Sequence, residues 1–322
     1  MLLTPRLIGF LAVVGIALLV ARFESQFNAY YFQIIIYIGI NIILATSLNL
    51  VNGYAGQFSL GHAGFMAVGA YTSAVITSTM HLGSGVLSAV VFPFALAIGG
   101  LVAAICGILV GIPTLRLKGD YLAIMTLGFG EIIRVIIQNL GFVGGARGFT
   151  GIAKLTNFFW VFATVGLVVF MLSNLVRSTY GKGFLAVRDD EIAAEAMGIN
   201  TTRYKVIAFV AGAFFAGLAG GLYAHFVTYI NPSQFSFVKS IEMVVMVIIG
   251  GMGRNVGVIM AAIVLTILPE ALRSIAQYRM VIYSLALVII MIARPQGLFG
   301  DGRWGKRLWV AGRRISKRFS AG

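Results

Sequence analysis

Residues 49–71 read NLVNGYAGQFSLGHAGFMAVGAY and combine apolar side chains with residues that interrupt helices. The stretch contains five glycines, two asparagines, one glutamine and one histidine, yet no charged side chain. The absence of Lys, Arg, Asp and Glu extends over residues 25–115. At about 20 residues per membrane-spanning helix, that interval is long enough for about four spans. Glycine and amide side chains within it therefore indicate a helix break inside a membrane protein.

The composition of the whole chain agrees with a membrane location. Of its 322 residues, 59% are hydrophobic and 11% are charged, and the mean hydropathy is +0.96. Soluble domains carry roughly 25% charged residues. Long continuous apolar runs exclude a β-barrel, whose strands alternate apolar and polar residues. The sequence predicts an all-α polytopic membrane protein with about ten transmembrane helices, some of them short or broken.

Apolar runs and the residues that break them define ten candidate spans. The predicted segments are 7–22, 30–50, 58–79, 86–112, 121–140, 157–176, 204–228, 240–251, 256–272 and 280–293. More Lys and Arg fall on the side of the two termini than on the opposite side, so both termini are predicted to be cytoplasmic. We predict a transmembrane domain over 1–300. A basic cytoplasmic tail over 301–322 is predicted to contact anionic membrane lipid, in preference to a nucleic acid.

The helix break is predicted over residues 52–57, with a helix restarting near Phe58 or Ser59. Non-helical backbone persists within a membrane only where protein or a water-filled cavity satisfies its polar groups. Free amides at a helix start can bind a carboxylate without a fixed cation, so the break suits the path of a polar or zwitterionic solute. An ordinary turn at the cytoplasmic surface fits the same residues. His62 is interpreted either as a ligand of solute or proton, or as a packed residue bonded to a neighbouring helix.

One long polar segment, residues 177–205, is predicted to be a cytoplasmic loop. Within it, 190–197 has the pattern of a short helix with Asp190 and Glu191 at its N-terminus, where the helix dipole favours acids. Gly198 can end that helix in a left-handed conformation. So short a helix is marginal alone and must be held by the bundle or by a partner. Its alanine-rich face is predicted to fit a groove on another protein: Ala193, Ala194 and Ala196.

Two further patterns concern packing and charge. Small residues at every fourth position predict close helix contact in lipid, as at Gly212, Ala216, Gly220 and Ala224. Acids with a cation three residues away are predicted to be neutralised on their own helix, as for Glu131 with Arg134 and Glu270 with Arg273. Glu242 has only Lys239 at this spacing and stays a candidate functional acid. The glycine clusters VNGYAGQFSLGHAG and IIGGMGRNVGVIMAA occupy comparable places in two predicted halves.

The polar loop carries a resemblance to a known family. AVRDDEIAAEAMGIN, residues 186–200, resembles the cytoplasmic coupling loop of ABC-importer permeases, in the form found in branched-chain amino acid transporters. NGYAGQFSLGHAGFMAVGAY, LKGDYLAIMTLGFGEIIR and IGGMGRNVGVIMAA are similar to segments of the same family, in the same order. The resemblance covers residues 37 to 300.

The resemblance implies a complex in the bacterial inner membrane. This chain would pair with a second, H-type permease, two ATP-binding subunits and a periplasmic binding protein that delivers leucine, isoleucine or valine. Urea and short-chain amide importers share this permease type, so the solute stays open. By position in the family, the ATPase-coupling residues would be Asp190, Glu191, Ala194, Glu195 and Gly198. The residues near the solute path would be Gly53, Tyr54, Gly56, Gln57, Ser59 and His62.

The sequence predicts no catalytic residue, metal site or cofactor in this chain. It lacks the phosphate loop G-x-x-x-x-G-K-[ST], so ATP is expected on partner subunits. One cysteine and three scattered histidines argue against a membrane-embedded enzyme. A proton- or sodium-coupled carrier is the remaining alternative class, although residues 25–115 offer it only His62 and His81.

Overall fold

The computed structural model describes residues 28–80, 86–114 and 119–275, with short pieces at 13–15, 17–20, 278, 281–282, 284–285 and 288–289. The predicted spans 7–22 and 280–293 fall largely outside these residues, and the tail 301–322 lies wholly outside them. The helices are α1 Ala29–Asn49, α2 His62–Thr79, α3 Val86–Thr114, α4 Asp120–Asn139, α5 Phe158–Arg177, α6 Thr179–Asp189, α7 Glu191–Ala196, α8 Thr201–Val227, α9 Phe237–Gly250 and α10 Asn255–Ala271. A π-helical turn, Leu50–Tyr54, extends α1.

Each predicted span between residues 30 and 272 corresponds to one of these helices. Among the described residues, five stretches are long and apolar enough to cross a membrane: Ala29–Tyr54, Val90–Pro113, Phe158–Arg177, Thr201–Val227 and Pro232–Gly250. The helix α10 is apolar but shorter. The prediction of an all-helical protein with several membrane spans is therefore confirmed for the described part of the chain.

The bundle is built around α8, which packs along both α2 and α3. The predicted small-residue row on α8 is buried: Gly212, Ala216, Gly220 and Ala224. The backbones touch where a side chain would not fit, because a Cβ on Gly220 would overlap the carbonyl of Met66 and a Cβ on Gly69 would overlap Gly217. Small residues are what allow helices to approach this closely in lipid, and the predicted packing role is confirmed.

The helices alternate in direction between two ends of the bundle. One end, here named the loop end, carries α6, α7 and the turn over residues 251–254. The opposite end, here named the far end, carries residues 140–157 and 228–236, where Phe149 and Ile230 form a single antiparallel bridge. The helix α1 runs from the far end to the loop end, and α2 runs back.

Two helices begin part-way along the bundle and not at one of its ends. At the N-terminus of α9, the amide of Phe237 donates to Oε1 of Glu131, near the middle of α4, over 3.1 Å. At the N-terminus of α2, the ring of His62 contacts Ser47 on α1. Ser47 precedes the end of the π-turn at Tyr54 by about 10 Å along the helix axis, at about 1.5 Å per residue. The two N-termini are neighbours, since Ala63 N donates to Ser240 Oγ over 3.1 Å.

Candidate functional site

The helix break between α1 and α2 occupies residues 55–61. It starts at the loop end, where the π-turn Leu50–Tyr54 ends and Gly56 adopts φ +69°. That left-handed conformation favours glycine and turns the chain back into the bundle. Residues 57–61 then run alongside the last turns of α1. The break is therefore a re-entrant segment within the bundle, with its first residues at the loop end.

Two amides of the break are bonded to side chains outside it. Ser59 N donates to Asn52 Oδ1 over 3.2 Å, and Leu60 N donates to Thr126 Oγ1 on α4 over 3.0 Å. Because these contacts hold the backbone in a non-helical path, α2 begins only at His62. The predicted restart near residue 58 or 59 is wrong for this reason.

The first residues of α2 are also bonded to the surrounding helices. His62 is buried, and its Nε2 lies 2.9 Å from the hydroxyl of Ser47 on α1. Its ring makes an edge contact with Phe65. The histidine thus packs against a neighbouring helix, and its participation in the solute path stays a prediction.

Two amide side chains of this region are buried with atoms that have no hydrogen-bond partner. Asn52 is 6% exposed and Gln57 is 2% exposed. The unbonded atoms are Nδ2 of Asn52 and both amide atoms of Gln57. Burying a polar group without a partner is costly, so these atoms provide hydrogen-bonding capacity for water or for a solute inside the bundle.

The structure divides the predicted path residues into two groups. The first group lies at the loop end and consists of Gly53, Tyr54 and Gly56. The second group is buried inside the bundle and consists of Gln57, Ser59 and His62. The same loop end contains the second glycine cluster, because Gly253 N donates to Asn49 Oδ1 over 2.9 Å. The two clusters that the sequence shows in comparable places therefore meet in space.

The predicted short helix of the coupling loop is α7, Glu191–Ala196. Asp190 caps its N-terminus by accepting from Ile192 N and Ala193 N, at 2.9 and 3.0 Å. Gly198 follows the helix with φ +80°, the left-handed conformation that its position predicts. The local prediction for residues 190–198 is confirmed to within a residue at each end.

Two side-chain bonds hold α7 against the start of α8. Lys205 Nζ and Glu191 Oε1 are 2.7 Å apart, and Thr201 Oγ1 donates to Glu195 Oε1 over 2.6 Å. The side chain of Lys205 is only 9% exposed. Glu191 and Glu195, two of the three acids of the predicted coupling element, are thus bonded to α8, which fixes the orientation of α7 on the bundle.

The outward face of α7 agrees with the predicted alanine face only in part, because Ala193 and Ala196 are exposed and Ala194 is not. Ala194 is buried against the bundle, so it is unavailable to a groove on another protein. The large apolar side chains that project outward are Ile192, which is 75% exposed, and Met197, which is 83% exposed. Large apolar groups this exposed, with acids around them, are typical of a contact surface. The sequence contained an indication of this surface, since Ile192 and Met197 are the only large apolar residues between Asp190 and Gly198.

The predicted neutralisation of Glu131 by Arg134 is confirmed, whereas Glu242, predicted to be a candidate functional acid, is also paired, with Lys239. Glu131 and Arg134 are 2.6 Å apart, and Lys239 and Glu242 are 2.9 Å apart. Glu131 has a further role that the spacing does not reveal, because it also caps α9 through Phe237.

The third pair, Glu270 and Arg273, is organised around Tyr30. The hydroxyl of Tyr30 donates to Glu270 Oε2 over 2.7 Å, and the Arg273 guanidinium lies 5.0 Å from the centre of the Tyr30 ring. The two charges therefore share an aromatic neighbour on α1. These residues line a polar cavity of about 410 Å³ at the far end.

Comparisons with known proteins identify the family. The family described as "Branched-chain amino acid transport system / permease component" matches residues 30–293. The permease protein LivM of the high-affinity branched-chain amino acid transport system is 38% identical over 294 residues, both in Salmonella typhimurium and in Escherichia coli K12; the match covers 80% of this chain and 67% of each relative. The permease LivH of Salmonella typhimurium is 23% identical over 286 residues, covering 80% of this chain and 90% of LivH.

No solved structure matches the chain. The family match covers all ten helices α1 to α10 and the coupling loop, so it includes every residue of the site described above. The apolar helices and the permease relatives together indicate a multi-pass membrane protein. The chain belongs to the permease family of branched-chain amino acid transport systems.

Proposed function

We propose that this chain is a transmembrane permease subunit of an ABC importer for leucine, isoleucine and valine. The observation that carries the proposal is the 38% identity over 294 residues to two permeases named for branched-chain amino acid transport. The chain itself binds no cofactor and is not an enzyme; ATP is hydrolysed on partner subunits. Similarity to both LivM and LivH supports a pair of related permeases in one complex.

The proposed complex spans the bacterial inner membrane. It contains this chain, an H-type permease, two ATP-binding subunits and a periplasmic binding protein. The transmembrane domain, residues 1–300, has ten spans with both termini in the cytoplasm, and residues 301–322 form a basic cytoplasmic tail. In this orientation the loop end faces the ATPases and the far end faces the binding protein.

The proposed mechanism is alternating access driven from the loop end. The solute path passes the break, near the six path residues Gly53, Tyr54, Gly56, Gln57, Ser59 and His62. The buried amides of Asn52 and Gln57 support a polar interior there. ATP-driven closure of the ATPases pulls on α7, through its exposed Ile192 and Met197. Because two bonds fix α7 to α8, this pull moves the bundle as well as the loop.

Uptake by reconstituted vesicles tests the function. Proteoliposomes would contain this chain with its permease partner, ATPases and binding protein, and labelled leucine and labelled urea would be supplied in parallel. The proposal expects leucine uptake that requires ATP and the ATPases, with no urea uptake. Uptake of urea without uptake of leucine would show that the chain belongs to an importer of urea or short-chain amides. Leucine uptake by the chain alone under an ion gradient would establish a secondary carrier instead.

Cysteine labelling tests the orientation. The chain has one cysteine, so Cys106→Ala provides a cysteine-free background. Met197 at the loop end and Phe142 at the far end are both strongly exposed and can each be replaced by cysteine. A membrane-impermeant maleimide should label Met197→Cys only from the cytoplasm and Phe142→Cys only from the outside. The reverse pattern would contradict the orientation without affecting the solute assignment.

A further inference from the structure

Arg188 joins the coupling loop to the first helix break. It lies in the last turn of α6, two residues before Asp190, the cap of α7. Its Nη1 donates to the carbonyl oxygen of Gly53 over 3.3 Å. Its stem packs on Gly56, where a Cβ would lie 2.8 Å from Arg188 Cγ. The side chain therefore fills the space that the two glycines leave open.

The same side chain reaches the second glycine cluster. A Cβ on Gly253 would lie 3.1 Å from Arg188 Nη1. Asn49 ties that cluster to the first break, accepting from Gly253 N over 2.9 Å and donating to Asn255 Oδ1 over 3.0 Å. A displacement of Arg188 would thus move the end of α1 and the start of α10 together.

We infer that Arg188 is a positioning residue for transport, which transmits the movement of α7 to the helix break and to the second glycine cluster. The inference rests on the proposed function, since it assumes that the ATPases move α7. Its geometric basis is the short covalent link from Arg188 to Asp190 combined with the contacts to Gly53, Gly56 and Gly253. Arg188 touches no solute in this role; it acts through the backbone that it holds.

The chemistry of the guanidinium explains why arginine suits this position. Asp189 Oδ1 accepts from Nε and Nη2, at 3.0 and 2.8 Å, which orients the planar group. Nη1 then remains directed at Gly53. An arginine presents several donors in a rigid fork, whereas lysine has a single nitrogen on a flexible stem. Lysine at 188 would keep the charge and lose the simultaneous contact with Asp189 and the backbone.

A passive packing role makes a different prediction. If Arg188 only fills space, its loss should lower stability, uptake and ATP hydrolysis in parallel. If it transmits movement, its loss should separate ATP hydrolysis from uptake while the complex stays assembled. The ratio of leucine imported to ATP hydrolysed therefore distinguishes the two roles.

The test compares Arg188→Met and Arg188→Lys with Lys182→Met, a control that removes an exposed cation from the same helix α6. All variants would be assayed in the complete complex, with assembly checked by gel filtration. A hydrogen bond from a charged group is strong enough to shift a two-state equilibrium by about tenfold. We expect the leucine-to-ATP ratio to fall about tenfold in Arg188→Met and less in Arg188→Lys. The control should match the wild type.

A second variant covers the case in which Arg188→Met does not assemble. Asp189→Asn removes the carboxylate that orients Arg188 while leaving the arginine and its packing in place. It should lower the same ratio, by less than Arg188→Met. Unchanged ratios in the assembled variants would overturn the inference while leaving the importer assignment intact.

A readout without solute separates this inference from the proposed function. Phe58 lies in the first break and is partly exposed, so Phe58→Cys in the Cys106→Ala background reports on the break by its maleimide labelling rate. We expect ATP to change that rate in the wild type and in Lys182→Met, and to leave it unchanged in Arg188→Met. An ATP response that survives in Arg188→Met would refute the inference, even in a complex that imports no leucine.

Discussion

Replacing Glu191 with alanine is expected to loosen α7 from the bundle. Glu191 is bonded to Lys205 over 2.7 Å, and the Lys205 side chain is 9% exposed while that of Glu191 is 23% exposed. Removing one partner of a fully buried ion pair costs about 3–5 kcal/mol, whereas exposed pairs contribute about 0–1 kcal/mol. This pair lies between the two cases, so we expect a cost of about 2 kcal/mol.

That free energy corresponds to a measurable change in local opening. At about 1.4 kcal/mol per factor of ten, 2 kcal/mol raises the exchange rate of the α7 amides roughly 30-fold. The relevant amides are bonded across the helix and its end, as Ala194 N to Asp190 O and Ile199 N to Ala194 O. Hydrogen exchange of a peptide over residues 190–200, followed by mass spectrometry, would measure the change in a segment that is accessible to solvent.

Two comparisons make this measurement decisive. Arg203→Ala removes an exposed cation two residues before Lys205 and should leave the exchange rate within about twofold of the wild type, as for most exposed positions. Lys205→Met in the Glu191→Ala background removes the buried charge left unpaired, and should restore much of the protection. If Glu191→Ala alone exchanges like the wild type, the ion pair does not hold α7, and the proposed transmission through α8 would rest on the Thr201–Glu195 bond alone.

Three further predictions follow from the same geometry. Gly198→Ala should destabilise the end of α7 by about 1–2 kcal/mol, because the left-handed conformation at φ +80° is unfavourable for a residue with a Cβ. Hydrogen exchange at Ile199 would measure this destabilisation, and unchanged exchange would contradict the left-handed conformation at Gly198. Ile192→Ser combined with Met197→Ser should weaken ATPase binding at least about tenfold without changing the melting temperature, since only exposed surface is altered; equal retention of the ATPase by variant and wild type would contradict it. Gly220→Leu should abolish assembly of the folded bundle, because its side chain would overlap α2; a folded, monodisperse variant by gel filtration would refute this packing.

Local sequence patterns predicted the features that depend on a few neighbouring residues. The short helix near residues 190–197, the left-handed Gly198 and the pairing of Glu131 with Arg134 all arise from contacts within a turn of helix. Such contacts follow from spacing alone. The small-residue row on α8 belongs to the same class, although its partner helices could not be named from the sequence.

Features that depend on distant residues could not be predicted. The start of α2 is set by Leu60 bonding to Thr126, and Arg188 contacts Gly53 across 135 residues of sequence. The orientation of α7 was also inaccessible, because Ala194 is buried only once α7 packs against the neighbouring helices. In each case a tertiary contact overrides a local preference. A single sequence does not show which distant residue makes that contact.

The structure also explains why the break carries no charge. The amide of Leu60 in the break, and the His62 ring and Ala63 amide just after it, are bonded to neutral hydroxyls on three other helices: those of Thr126, Ser47 and Ser240. A hydroxyl can serve as donor or acceptor, so water or a solute can replace it at a small net cost in free energy. A fixed cation at the same depth would need a permanent counter-ion, as Arg134 has in Glu131. An uncharged break can therefore exchange partners as the helices move, whereas an ion pair would hold it in one position.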